Sequence, residues 1–224
     1  ELAKGRMRDK RPELIKALEG RVKPHHRFVL TELLCQIDSL DETIARFDQE
    51  ITDYCRPFEA AVALIDTIPG VARATAEAIV GEIGVDMGRF PSADHLASWA
   101  GVAPGNNESA GKRRSGRTRK GNKPLRSALN QAAQAAAHTK NTYLSAQYHR
   151  LAARRGRKKA IMALMHSILV MAYYIIQRNE PYRELGGNYF DQQRPELTAQ
   201  RLVKRLEKLG FHVALQSSTA VAVA

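Results

Sequence analysis

Between Leu30 and Tyr54 the apolar residues fall at Leu30, Leu33, Ile37, Leu40, Ile44, Phe47, Ile51 and Tyr54, in alternating steps of three and four. Asp, Glu, Gln, Thr and Arg make up most of the positions between. An isolated helix turns every ~3.6 residues, whereas this seam keeps a period of ~3.5 over more than three heptads. It therefore predicts a helix wound left-handedly against another helix, supplied by a second chain or by this one. The Pro12–Leu18 segment is too short to cover it, and a helix laid on its own domain is the alternative. Cys35 and Cys55 fall on the same helix, about 30 Å apart at 1.5 Å per residue, so they cannot bridge each other. Neither has a CxxC partner, which leaves metal and redox chemistry unsupported and fits a reducing cytoplasm.

The rest of the pattern is also helical, so the fold class read from sequence is mainly α. Pro57 marks the boundary after the seam. Residues 58–66 and 73–84 read as two short helices joined by Thr67-Ile68-Pro69-Gly70-Val71-Ala72, a helix-hairpin-helix-like element over 58–88 with its second helix opening near Thr75. In such elements the turn and the second helix's N-terminal N–H groups hold a phosphate, which nominates Pro69 and Gly70. Ala72 in place of a second turn glycine, and the nearby Asp66, Glu77, Glu82 and Asp86, weaken that case, and a hairpin that only packs is the equal alternative. Ser92 reads as the N-cap of a helix over 93–100. Residues 101–122 hold five Gly, one Pro and a run of Lys and Arg, with no hydrophobic period, and read as a long loop. Helices resume at 123–138, where Ala132–Ala137 suggests close helix contacts, then at 143–154 and 157–178. A looser tail follows, with an amphipathic helix over 197–209, a short strand over 211–215 and no evident partner for 218–224. The implied domains are 1–57, 58–88, 89–190 with its basic loop over 101–126, and 191–224.

Charge is distributed unevenly. Residues 28–100 carry four basic and thirteen acidic side chains, whereas residues 101–160 carry fifteen basic side chains and one acid, Glu108. A block this one-sided repels itself until it meets a polyanion, and phosphate backbone is the commonest one. An acidic protein or an anionic membrane surface is the alternative. Lys112, Arg113, Arg114, Arg117, Arg119, Lys120, Lys123 and Arg126 form the first cluster. Arg154, Arg155, Arg157 and Lys158 form a second at a helix junction. The longest apolar run, Ile161–Ile176, is 16 residues, short of the roughly 20 that span a bilayer, and reads as a buried helix. No apolar signal segment opens the chain, and its start at Glu1 fits a portion of a longer product.

The seven histidines show no metal-ligand spacing beyond the His25-His26 pair, and His166 reads as a packed histidine. No carboxylate pair suggests two-metal catalysis. Ser109 sits between Gly105-Asn106-Asn107 and Gly111, beside the first basic cluster. A serine hydroxyl needs a base or metal to become a nucleophile, and phosphoryl transfer needs cations around the developing charge. A turn residue is the alternative for Ser109.

The stretches VALIDTIPGVARATAEAIVGEIG (62–84), RFPSADHLASWAGVAP (89–104) and ESAGKRRSGRTRKGNKPLRSAL (108–129) resemble, in order, the C-terminal half of a family of bacterial insertion-sequence transposases. These are the Piv-like, bridge-RNA-guided recombinases, with a RuvC-like N-terminal domain and a C-terminal transposase domain. The resemblance runs from about residue 28 to 185. Pro104, Ser109 and Gly111-Lys112 match the family's serine motif, which implies that Ser109, or alternatively the nearby Ser115, attacks a DNA phosphodiester and forms a phosphoserine link. The family's acidic ligands for Mg²⁺ belong to the RuvC-like domain, which would lie upstream of Glu1, so no metal residue is assigned to this chain. The resemblance further implies DNA and a guide RNA as partners and a bacterial cytoplasmic, nucleoid-associated location; the seam itself points to a homo-oligomer through the 30–54 coiled coil, and the short apolar run to no membrane. This portion alone would lack autonomous activity. A non-catalytic basic nucleic-acid-binding module with an oligomerising helix is the rival expectation.

Overall fold

The computed structural model describes residues 4–18, 20, 22–105 and 107–215, with the side chains of Leu18, Asn107, Arg113 and Arg114 outside that description. The chain is mainly helical and divides into two compact units at Arg56/Pro57.

The first unit holds α1 (Arg11–Leu18) and α2 (Pro24–Cys55). Pro24 starts α2 at a position where its missing N–H costs nothing, and the Lys23 N–H donates to Nδ1 of His26. The helix therefore begins six residues before the seam, a start that apolar spacing could not reveal. At 32 residues α2 is about 48 Å long. It buries none of its residues, and the eight seam side chains remain between 43% and 79% exposed. The expectation of one long helix carrying the seam holds. The two cysteines lie on this one helix, as the spacing predicts.

The second unit begins with a helical hairpin, α3 (Glu59–Asp66) and α4 (Arg73–Ile83). Arg73 grips both carboxylate oxygens of Glu59 at 2.7 Å and Oε1 of Glu77 at 2.8 Å, clamping the hairpin from outside. The guanidinium holds the Glu59 carboxyl below the usual range. Beyond a 3-10 turn at Met87–Arg89 lies α5 (Ala93–Trp99), where the Ser92 hydroxyl accepts from the His95 N–H, the cap its sequence predicts. Two short strands, β1 (Asn107–Ser109) and β2 (Lys112–Ser115), precede α6 (Lys123–His138), α7 (Tyr143–Arg155) and α8 (Arg157–Arg178). The chain then runs through α9 (Tyr189–Gln192) and α10 (Pro195–Glu207).

Helices α6 and α8 form the centre. Helix α3 packs on α4 and α8, α4 on α6, α5 on α8, and α7 on both α6 and α8. The core joins Leu125 and Leu129 of α6 to Leu164, Ile168 and Leu169 of α8, all fully buried, together with Ile65, Ile79 and Leu96. Burying each such side chain contributes about 1.5–3 kcal/mol. By length and apolarity alone α8 is the one described helix able to cross a membrane, but it carries eight buried residues of this core.

Two local expectations are corrected. Residues 211–215 form no strand, since extended backbone becomes a strand only beside a hydrogen-bonding partner, and none of the described residues supplies one. The 101–122 segment is not wholly irregular, because it carries β1 and β2. The 218–224 tail lies outside the described residues.

Candidate nucleic-acid interface

Between α5 and α6 the chain goes out and comes back as a narrow arm, and its shape is set by glycine. A Cβ on Gly105 would sit 2.1 Å from the Arg117 carbonyl oxygen, and one on Gly121 would sit 2.2 Å from that of Ala100. The outgoing and returning legs thus touch backbone to backbone at two levels, an approach that only glycine permits. At the tip, β1 and β2 pair antiparallel, with Glu108 opposite Arg113 and Ser109 opposite Lys112. Ala110 and Gly111 join them with φ of 50° and 72°, a two-residue turn with both residues left-handed, the type I′ geometry that suits the twist of a hairpin. Apolar alternation could not disclose these strands because their sequences, NES and KRRS, hold no apolar residue. The signal lay instead in the glycines, Gly101 and Gly105 on one leg and Gly121 on the other.

The hairpin register decides what surrounds Ser109. Directly paired residues share a face of a two-stranded ladder, so Lys112 lies beside the Ser109 side chain. Successive residues alternate faces, so Glu108 projects away from it. Ser109 is exposed and its hydroxyl has no hydrogen-bond partner among the described residues. Ser115 differs: its Oγ accepts from the Arg117 N–H at 3.1 Å and helps turn the returning leg.

The arm is anchored at its base and cationic along its length. The Asn122 side chain caps α6 by accepting from the Leu125 N–H at 2.9 Å, and its amide donates to Glu82 on α4. Arg126, half-buried, donates to the Arg119 carbonyl at 3.1 Å and so fastens the returning leg to α6. Lys112, Arg117, Arg119, Lys120 and Lys123 are exposed. Among the described residues the ion pairs join Arg56 to Asp53 and Arg73 to Glu59 and Glu77, so none of those five cations has an acidic partner. Arg113 and Arg114 lie on β2, their side chains outside the described set.

The second basic cluster forms where α7 meets α8. Arg154 and Arg155 end α7, Gly156 turns the chain with φ of 83°, and Arg157 and Lys158 open α8, all exposed. Cations in a first helical turn oppose the helix dipole, and α8 has no acidic residue there and no side-chain cap. An anion would resolve that opposition.

Pro69 and Gly70 are placed differently. Gly70 has φ of +86°, and a Cβ there would lie 2.3 Å from the Ala136 backbone N and 2.7 Å from the Ala132 carbonyl oxygen. The turn rests directly on the alanine stretch of α6. The Val71 N–H is spent on the Ile68 carbonyl, and the Tyr182 N–H reaches over to the Thr67 hydroxyl at 2.9 Å. The tip of this turn is packed against α6. Among the described residues no group of three His, Cys, Asp or Glu is placed to hold a metal ion. The described residues therefore do not fit Mg²⁺.

Comparison with known proteins places this arm in context. Residues 62–150, which include most of the helical hairpin, α5, the whole arm, α6 and part of α7, match the family model described as "Transposase IS116/IS110/IS902 family". The chain is 31% identical over 147 residues to a pilin gene-inverting protein of Moraxella bovis, covering 63% of this chain and 45% of that protein. The homologue from Moraxella lacunata gives the same identity and coverage. A transposase for insertion sequence element IS1111A of Coxiella burnetii (strain RSA 493 / Nine Mile phase I) is 28% identical over 164 residues, 71% of this chain and 44% of that protein. The chain thus spans a little under half the length of these curated relatives.

Proposed function

We propose that this chain is the C-terminal portion of a DNA transposase or recombinase, in which the basic arm grips phosphate and carries Ser109 as the nucleophile. The observation that carries the reading is the arm itself. It is a glycine-closed hairpin that holds an exposed serine beside Lys112, one of five cations without an acidic partner, inside the segment matching the transposase family model. In the proposed step the Ser109 Oγ bonds to the phosphorus of a DNA phosphodiester while one P–O bond to a deoxyribose breaks. The serine proton passes to a general base and the departing oxygen takes up a proton. Lys112, with Arg117, Arg119 and Lys120, would stabilise the charge that develops on the phosphoryl oxygens.

The general base is not in the arm, because Glu108 projects from the opposite face. The resemblance supplies it from the RuvC-like domain, carried by a further part of the polypeptide or by another chain. On this reading Lys123, Arg126 and the Arg154–Lys158 cluster hold DNA or guide-RNA phosphate. Two copies would associate through the exposed α2 seam, which suits a reaction that holds two duplexes at once. The reading also places the protein in a bacterial cytoplasm, near the nucleoid.

One observation favours the rival class, a binding module without chemistry: no described acid or histidine lies beside Ser109. The experiment that separates the two combines this chain, the RuvC-like portion, DNA, guide RNA and Mg²⁺, and looks for a protein–DNA adduct stable to denaturation. Ser109→Ala should abolish the adduct while leaving binding intact. Loss with Ser115→Ala instead would transfer the role to Ser115, and an adduct indifferent to both would leave the binding module as the answer.

A further inference from the structure

Helices α6, α7 and α8 enclose an open cleft of about 400 Å³. Ile161, Met162 and Met165 of α8 make an apolar floor, and Tyr148 of α7, half-buried against the core, forms a wall. Asn130 and Gln134 bring side-chain amides to the same cleft from one face of α6, and Arg157 and Lys158 stand at its edge. No carboxylate lines it. Residues 126, 130 and 134 follow one another at helical spacing, so the row runs from Arg126 at the base of the arm to Gln134 in the cleft. That distance is about 12 Å, the span of three to four stacked nucleotides at 3.4 Å each.

We infer that this cleft receives one unpaired nucleobase of the nucleic acid gripped by the arm, with its phosphate on Arg157 and Lys158. This rests on the phosphate-binding reading of the arm and extends it to a second site. The chemistry of the walls selects the occupant. A backbone phosphate alone has no use for an aromatic ring above a methionine floor, whereas a base needs both a stacking partner and an apolar bed. Amides can meet the donor and acceptor edge of a base, and that edge is accessible only when the base has left its pair. The missing carboxylates and the two cations favour an anionic ligand over a cationic peptide. The occupant is therefore a nucleotide at a strand end, a flipped position or a single-stranded loop.

The test uses the whole chain, short single-stranded DNA and RNA oligonucleotides of one length, the matching duplex, and a single-stranded oligonucleotide with abasic positions. Tyr148→Ala should weaken single-strand binding roughly 5- to 100-fold through lost stacking, while Tyr148→Phe keeps it. Affinity for the fully paired duplex and its salt dependence should be unchanged in both. Because Tyr148 also touches the core, Gln134→Trp provides a second variant, which fills the cleft from an exposed position and should give the same selective loss in a chain that melts normally. The abasic oligonucleotide should bind wild type as weakly as the normal one binds the Trp variant. Comparing the DNA and RNA arms tells which strand supplies the base. Equal binding of abasic and normal strands, or no effect from both Tyr148→Ala and Gln134→Trp, overturns the inference. If duplex salt dependence persists in that case, the arm reading stands. If it vanishes, both fall.

Discussion

Replacing Gly70 by alanine separates a packing turn from a phosphate site. At φ of +86° an L-residue is strained, and the new methyl carbon would lie 2.3 Å from the Ala136 nitrogen and 2.7 Å from the Ala132 carbonyl oxygen. Backbone atoms of a central helix cannot swing aside as a side-chain tip does. Left-handed strain costs about 1–2 kcal/mol and forced overpacking about 1–3 kcal/mol more, so the sum is about 2–5 kcal/mol. For a chain of this size each kcal/mol moves Tm by about 2–4 °C, which predicts a fall of roughly 5–20 °C. Gly84 supplies the reference. It also has positive φ, at +72°, but its Cβ would meet nothing closer than the Arg89 guanidinium at 3.8 Å. With ψ of −172° it lies in a region almost confined to glycine, so Gly84→Ala should carry backbone strain without a clash, about 1–3 kcal/mol. Differential scanning calorimetry of both variants, with DNA affinity measured on the folded fraction, makes the comparison. Equal Tm shifts would refute the close approach. A stable Gly70→Ala chain that had lost DNA affinity would restore the turn as a phosphate site.

Three further outcomes follow from the same geometry. If the five exposed cations at Lys112, Arg117, Arg119, Lys120 and Lys123 each meet a duplex phosphate, log K falls against log salt with a slope near −4.5, and each Lys or Arg→Ala substitution reduces the slope by about 0.9. A slope near zero in a fluorescence-anisotropy titration contradicts this. Ile37→Asp with Ile44→Asp should turn a dimer into a monomer in sedimentation velocity, because the seam's eight large apolar side chains contribute about 1.5–3 kcal/mol each when buried; a wild-type chain that is monomeric at high micromolar concentration contradicts the pairing. Asn122→Ala removes both the α6 cap and the link to Glu82, and should lower stability by about 0.5–2 kcal/mol in a urea titration, whereas an unchanged midpoint would show the arm's base to be held otherwise.

The parts of this chain legible in its sequence were those governed by local periodicity and capping. The 3.5-residue seam marked α2, Ser92 marked the start of α5, and Ala132–Ala137 marked a helix face approached closely, which proves to be where Gly70 rests. What escaped was set by contacts distant in sequence. Gly105 and Gly121 shape the arm through Arg117 and Ala100, neighbours that no spacing rule connects. The β1–β2 hairpin escaped because its residues carry no apolar alternation. Residues 211–215 misled in the opposite way, since their composition suits a strand but the fold gives them no partner. At the site, the charge block was evident from composition, while the separation of Glu108 from Ser109 required the register. The Tyr148 cleft required three helices to be brought together.

The most direct measurement of the central claim is the identity of the amino acid that becomes joined to DNA. The adduct formed by the complete recombinase would be digested with nuclease and protease, and the peptide carrying a nucleotide remnant sequenced by tandem mass spectrometry. The account predicts that the remnant sits on the hydroxyl of Ser109, within the peptide between Gly105 and Lys112. A remnant on Ser115, on a residue outside the arm, or on no residue of this chain would contradict it.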